Sequence, residues 1–280
     1  MKTIGFVDYY ISEWHANNYP GWIKEVCEKT GKEYAVKYVW AEQYVSPVDG
    51  RNTDQWCEDF GCNKCETIAE LCEKCDYIFV LSPSNPEKHL EYAREVLKHK
   101  KNTYIDKTFT VDYEEAKEIF DIAKKNGTKF FSSSALRYAD EIQNLENITN
   151  VITTGGGGNF EEYIIHQIEM AEKLLQDEPL SVKVENQGNQ YMCNVKFANH
   201  KNATFVFAPA YAFTAYAEDN ERTPVYRTIQ SDFFKNMIDD ILNFFETGDC
   251  SFDVTQTLYA MKIRTGIIQA KKQLGRWISL

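Results

Sequence analysis

The chain has 280 residues, 43% hydrophobic and 26% charged, with a formal net charge of −11. That is enough apolar side chain for one large domain or two modest ones, and two are expected. The acidic balance, with pI near 5.1, argues against nucleic acid and against an acidic membrane surface as partners. No run approaches the roughly 18 apolar residues that suggest a membrane span, and "MKTIGFVDYY" lacks the apolar core of an export signal. A cytoplasmic protein with reduced thiols is the expectation.

From Thr3 to about Ser133, short apolar runs alternate with segments of helical period. Strands are predicted near 3–8, 34–40, 62–65, 77–82, 102–106 and 129–133, and helices near 13–29, 53–60, 67–75, 87–99 and 113–126. The helices rest on spacing: Leu90, Ala93 and Val96 in one, and Ala116, Ile119, Phe120 and Ala123 in another, recur every three or four residues. Gly31, Gly61 and Asn126-Gly127 supply stop signals. Alternation of this kind predicts α/β architecture, a doubly wound parallel sheet over residues 1–134.

The second half, 135–280, reads differently. After "TTGGGGNF", a helical stretch near 161–175 precedes "LSVKVENQGNQYMCNVKF" and "ATFVFAPAYAFTAYAE", dense in aromatic and β-branched residues. These runs predict an α+β domain on an antiparallel sheet. Two helices follow, one with Phe234, Ile238, Ile241 and Phe245 on a single face. The C-terminal helix has the option of packing back on the first domain.

Five cysteines, Cys57, Cys62, Cys65, Cys72 and Cys75, lie within twenty residues, and two Cys-x-x-Cys pairs among them imitate a zinc site. The six-residue gap between the pairs is short for such a site. Ile68, Leu71, Cys72 and Cys75 recur at i, i+3, i+4 and i+7, the spacing of a helix face packed on a sheet. A core role without metal is therefore the preferred reading.

At the end of the first strand a dinucleotide-binding turn places three glycines that let the chain approach a diphosphate. Here those slots hold Asp8, Tyr10 and Glu13, with Tyr9 between the first two. Glu42, ending the second strand, is a candidate for a ribose hydroxyl contact and a preference for NAD. His15 is a candidate for the mouth of a cofactor cleft or for a fold-stabilising contact. His99 and His200, among charged or polar residues, read as surface.

The segment "DYIFVLSPSNPEKHLEYAREVLKHKKNTYIDKTFTVDYEEAKEIF" resembles the Gfo/Idh/MocA family of glucose-fructose oxidoreductase and inositol dehydrogenase relatives. Ser82-Pro83 through His89 echoes the family's Thr-Pro-x-x-x-x-His pattern, and Asp106-Lys107-Thr108 echoes Glu-Lys-Pro, with the lysine matching. "SSSALRY" is similar to the family's arginine-containing junction, with Arg137 matching. Glu162 and His166 stand where the family commonly has an acid four residues before a histidine.

The resemblance implies an NAD(P)-dependent oxidoreductase acting on the CH–OH group of a sugar, polyol or related small molecule. Lys107, His166 and Glu162 are then the expected catalytic residues. His166 serves as the base, Glu162 orients it, and Lys107 polarises the oxygen. Asp8, Tyr9, Tyr10, Glu42, Ser82, Pro83 and His89 fall at the expected NAD or NADP site, with Arg137 and Tyr163 on the substrate side. The resemblance also implies a homo-oligomer formed through the C-terminal sheet. The lost glycines leave a second reading open: a family member without dinucleotide binding that serves as a ligand-binding or regulatory protein.

Overall fold

The computed structural model describes residues 1–280 and divides into two compact units. The first comprises Met1–Ser133 with Met237–Asp253, and the second Ser134–Asn236 with Val254–Leu280.

In the first unit the chain runs β1 (Lys2–Asp8), α1 (Trp14–Thr30), β2 (Tyr34–Ala41), α2 (Thr53–Phe60), β3 (Asn63–Lys64) and α3 (Ile68–Lys74). It continues through β4 (Tyr77–Val80), α4 (His89–Val96), β5 (Thr103–Ile105), α5 (Tyr113–Asn126) and β6 (Phe130–Phe131). The strands form a parallel sheet in the order β3-β2-β1-β4-β5-β6, the doubly wound arrangement whose ligand crevice lies beyond the carboxyl ends of the strands. Local chemistry sets the helix limits. Asn52 and Gln55 form a reciprocal capping box on α2, and Asp112 caps α5 through the Glu115 amide. Gly61 and Gly127 close the same two helices in the left-handed conformation.

Close packing of α3 on β1 accounts for the cysteine cluster. A side chain at Gly5 would collide with Leu71 and with Cys75 Sγ, so the thiol fills a gap that a longer side chain would overfill. Cys65, Cys72 and Cys75 are buried. Burial raises the thiols, to about 11 at Cys62 and Cys65 and about 12 at Cys57, Cys72 and Cys75.

The second unit holds α6 (Asp140–Gln143), β7 (Ile148–Gly155), α7 (Phe160–Leu175), β8 (Pro179–Gln187), β9 (Gln190–Phe197) and β10 (Asn202–Phe207). β11 (Thr214–Asp219), β12 (Pro224–Thr228), α9 (Thr255–Ala270) and β13 (Trp277–Ser279) complete it, with α8 (Phe233–Thr247) falling between β12 and α9 in the chain. Its seven-stranded sheet has the order β12-β11-β7-β10-β9-β8-β13. All neighbours are antiparallel except β7 and β10, which run parallel because the chain returns through α7 and the β8–β9 hairpin before pairing again with β7.

Helices α7 and α9 pack together against one sheet face. The other face carries a row aligned across all seven strands: Tyr226, Tyr216, Ile152, Thr204, Asn194, Lys183 and Trp277. Tyr226, Ile152 and Trp277 are exposed there.

Most of α8 belongs to the first unit, a placement the pattern of alternation did not indicate. Phe245 stacks on Tyr77 with ring centroids 4.7 Å apart, and Phe244 meets Phe131 edge-on at 5.0 Å. Ile238, Ile241 and Phe245, three of the four positions on the predicted face, are buried, and Phe234 is half-buried.

Candidate functional site

The turn from β1 to α1 is a packed segment in which Asp8, Tyr10, Ile11, Ser12 and Glu13 are all buried. Asp8 Oδ1 accepts the Tyr9 amide at 2.7 Å, the Ser82 amide at 3.0 Å and the Ser82 hydroxyl at 3.1 Å. Ser82 reaches it from a left-handed conformation, φ 63°, uncommon for a residue with a side chain. Asp8 Oδ2 has no hydrogen-bond partner. Burial, and then the Glu13 carboxyl, push Asp8 well above the usual carboxylate range. Glu13 Oε2 accepts the Ser84 hydroxyl at 3.1 Å, and burial raises this acid to about 7 against the opposing hydrogen bonds of Asp8 and Ser84. Two acids in mutual contact titrate as a pair, with the Lys107 charge opposing the rise at Glu13.

A diphosphate at this turn meets two features of opposite sign. Glu13 stands at the N-cap of α1 yet makes no side-chain cap, and no acid lies in the first helical turn, so the helix end retains its attraction for an anion. The adjoining acids repel an anion when ionised and do not when the pair is protonated. Tyr10, in the second glycine slot, is buried in this turn.

The other residues expected at the cofactor are already engaged. Glu42 accepts Lys88 Nζ and the Tyr92 hydroxyl, each at 2.8 Å. Burial opposes its ionisation, but these two partners hold it below the usual range. Lys88 Nζ also lies 5.4 Å from the Tyr9 ring centroid, and Tyr9 and Tyr10 rings are 5.8 Å apart. Pro83 is buried beside Ser82. His89 is wholly buried, with Nδ1 2.9 Å from the Phe109 carbonyl and Nε2 against that of Leu81. Both ring nitrogens meet backbone carbonyls, so His89 braces two strand ends and has none left for a cofactor.

Lys107 follows β5 and is half-buried, its amide donating to Asp106 Oδ1 at 2.8 Å. Asp106 is 0% exposed and forms a close pair with His15 Nδ1. The Tyr19 hydroxyl lies 3.1 Å from that nitrogen, and the Tyr104 hydroxyl 3.4 Å from Asp106 Oδ1. Burial would raise Asp106, but His15 and then Lys107 hold it below the usual range.

In the second unit, α7 starts at an Asn159 cap and carries His166. His166 Nδ1 lies 2.7 Å from Ser134 Oγ, and the Tyr163 and Phe213 rings meet the imidazole edge-on at 5.6 and 5.8 Å. The glycine run allows that approach: a side chain at Gly155 would strike Phe213, and one at Gly157 would strike Tyr163. The Glu162 carboxylate meets the Asn159 side-chain amide at 3.3 Å at the helix start, while Ser134 is bonded to His166.

Arg137, expected on the substrate side, is buried. Its guanidinium is 2% exposed and pairs with Glu169 through Nε at 2.8 Å and with Gln256 at 2.7 Å. A buried, paired arginine is part of the core and not a substrate-facing cation. Burial raises Glu169 despite Arg137, and it raises Glu172, whose two carboxyl oxygens have no hydrogen-bond partner, well above the usual range.

Lys107 and His166 were singled out through the family resemblance. Ser134, Phe213, Asp106 and Glu169 were not, because a serine inside "SSSALRY" or an acid inside "HQIEM" has no local pattern that reveals a partner 32 or more positions away. A cavity of about 550 Å³ in the second unit, lined by Glu185, Asn186, Met192 and Leu274 among others, includes none of the expected residues. No helix is long and apolar enough to cross a membrane.

Comparison with known proteins bears on the assignment. Residues 41–134 match GFO_IDH_MocA, described as an oxidoreductase family with an NAD-binding Rossmann fold. No curated protein sequence matches the chain significantly. Among solved structures, myo-inositol 2-dehydrogenase from Lactobacillus plantarum is 13% identical, with 100% of this chain and 99% of that chain covered and a TM-score of 0.76. UDP-N-acetylglucosamine 3-dehydrogenase GnnA from Acidithiobacillus ferrooxidans is 13% identical, covering 96% and 97%, with a TM-score of 0.75. GenD2 from gentamicin A biosynthesis, in complex with NAD, is 12% identical, covering 100% and 97%, with a TM-score of 0.77. At such identities the likeness is one of fold. Residues 41–134 of the first unit thus match the model of that oxidoreductase family, and the fold is shared with these dehydrogenases along the whole length.

Proposed function

We propose that the protein is an NAD(P)-dependent oxidoreductase that interconverts a CH–OH group and a carbonyl in a sugar, polyol or related small molecule. The observation that carries this reading is His166, a half-buried imidazole tied through Nδ1 to a buried serine and flanked by two aromatic rings. It is built to exchange hydrogen-bonding roles with a ligand oxygen. Lys107, at the carboxyl edge of the parallel sheet, is the cation that the family resemblance assigns to charge on the reacting oxygen.

A bound nicotinamide supplies the hydride chemistry. The amino end of α1 with the protonated Asp8–Glu13 pair would hold the diphosphate, and Glu42 the ribose hydroxyls. An ionised Glu42 disfavours a ribose phosphate, which supports NAD over NADP. Exposed Tyr226, Ile152 and Trp277 on the second sheet support a homo-oligomer, since large apolar side chains on an open sheet face are best buried against a second copy.

Fluorescence titration with NADH and NADPH, followed by turnover on a panel of polyols and their ketoses, tests the reading. Micromolar NADH binding with turnover is expected. His166→Asn should abolish turnover and leave cofactor binding intact. The absence of any signal or thermal shift at millimolar cofactor would remove the redox assignment and favour a ligand-binding role.

A further inference from the structure

Ser134 is 0% exposed, and its polar groups are accounted for. Its amide donates to the Glu169 carboxylate, and its carbonyl accepts the Arg137 amide at 3.2 Å. Its Oγ lies 3.3 Å from the Leu136 amide nitrogen and 2.7 Å from His166 Nδ1. A hydroxyl offers one hydrogen and two lone pairs, whereas a backbone N–H only donates. Of the two groups within reach of Oγ, only His166 Nδ1 can accept the hydroxyl hydrogen. Burial excludes water as a substitute, and buried hydroxyls do not go unpaired. Nδ1 therefore accepts, and a neutral imidazole that accepts at Nδ1 carries its proton on Nε2.

The serine cannot easily turn away from this task. Glu169, which holds its main chain, is itself buried and paired with Arg137 at 2.8 Å, and Arg137 is held in turn by Gln256. The imidazole is confined between Tyr163 and Phe213.

We infer that Ser134 is a positioning residue that fixes His166 as the Nε2–H tautomer by donating its hydroxyl hydrogen to Nδ1. Its bearing on catalysis rests on the reading of His166 as the group that serves the reacting oxygen.

The test is long-range ¹H–¹⁵N correlation spectroscopy of the full chain labelled at its five histidines, at a pH where the ring is neutral, with His166 assigned by its loss in His166→Asn. A single Nε2–H tautomer is expected for His166. Ser134→Ala should relax it to a mixture of tautomers, Ser134→Thr should restore it, and Glu162→Gln should leave it unchanged. An Nδ1–H tautomer in the unaltered protein, or a folded Ser134→Ala variant with the same single tautomer, overturns the inference. Should Ser134→Ala not fold, the tautomer of the unaltered protein decides alone. An Nε2–H signal in a protein that binds neither NADH nor NADPH upholds the role of Ser134 while removing the redox reading, so the two failures are distinguishable.

Discussion

Replacing Glu13 by Gln perturbs the packed turn at the amino end of α1 with little change in shape. Glu13 is 4% exposed, and burial lifts it from an ordinary value of 4.5 to about 7. The folded protein therefore keeps a proton that the unfolded chain has released above about pH 4.5. The stabilising contribution of that proton is complete below pH 4.5 and is lost as pH rises through about 7. At about 1.4 kcal/mol per pH unit, the loss amounts to about 3 kcal/mol for Glu13. Asp8, raised in the same direction, adds to the slope. Urea denaturation at several pH values from 5 to 8 reads the effect. The unaltered protein should lose stability as pH rises, and Glu13→Gln should flatten the curve and be the more stable of the two at pH 8. Equal slopes in the two proteins, or stability that climbs toward pH 8, would refute a proton held by the buried pair.

Other consequences are open to direct measurement. Arg137→Met should destabilise the protein by about 3–5 kcal/mol, because Glu169 would be left buried without its cation; a loss under about 1 kcal/mol in denaturant titration contradicts a core role. Gly157 has φ 147° and lies under the Tyr163 ring, so Gly157→Ala should cost roughly 1–3 kcal/mol in backbone strain and displace the ring beside His166, read as a lowered melting temperature. Ile152→Arg combined with Tyr226→Asp, both on the exposed sheet row, should convert an oligomer to a monomer in light scattering. A monomeric unaltered protein would end that assignment.

What the sequence disclosed follows the range of the interactions involved. Helices α2 and α5 were legible to the residue, because their caps and left-handed glycines are local chemistry. β6 was expected over 129–133 but pairs only at Phe130–Phe131, since alternation marks apolar character and not where pairing stops. The partnership of β7 with β10, and the move of α8 onto the first unit, depend on contacts across tens of residues that no periodicity encodes. The site divides in the same way. Asp8 and Glu13 were visible as acids in glycine slots, whereas a proton held between them requires their burial, which only the fold supplies. Glu162 was the natural partner for His166 by helical spacing, one turn apart on the same face. In the fold Glu162 bonds the Asn159 cap, and a serine 32 residues away bonds His166.

A crystal grown near pH 6 with NADH tests the central claim most directly. Diphosphate density is expected at the amino end of α1, beside Asp8 and Glu13, with Tyr9 and Tyr10 turned clear of it. Millimolar NADH that leaves no density, with a tyrosine ring lying where the diphosphate belongs, would contradict it.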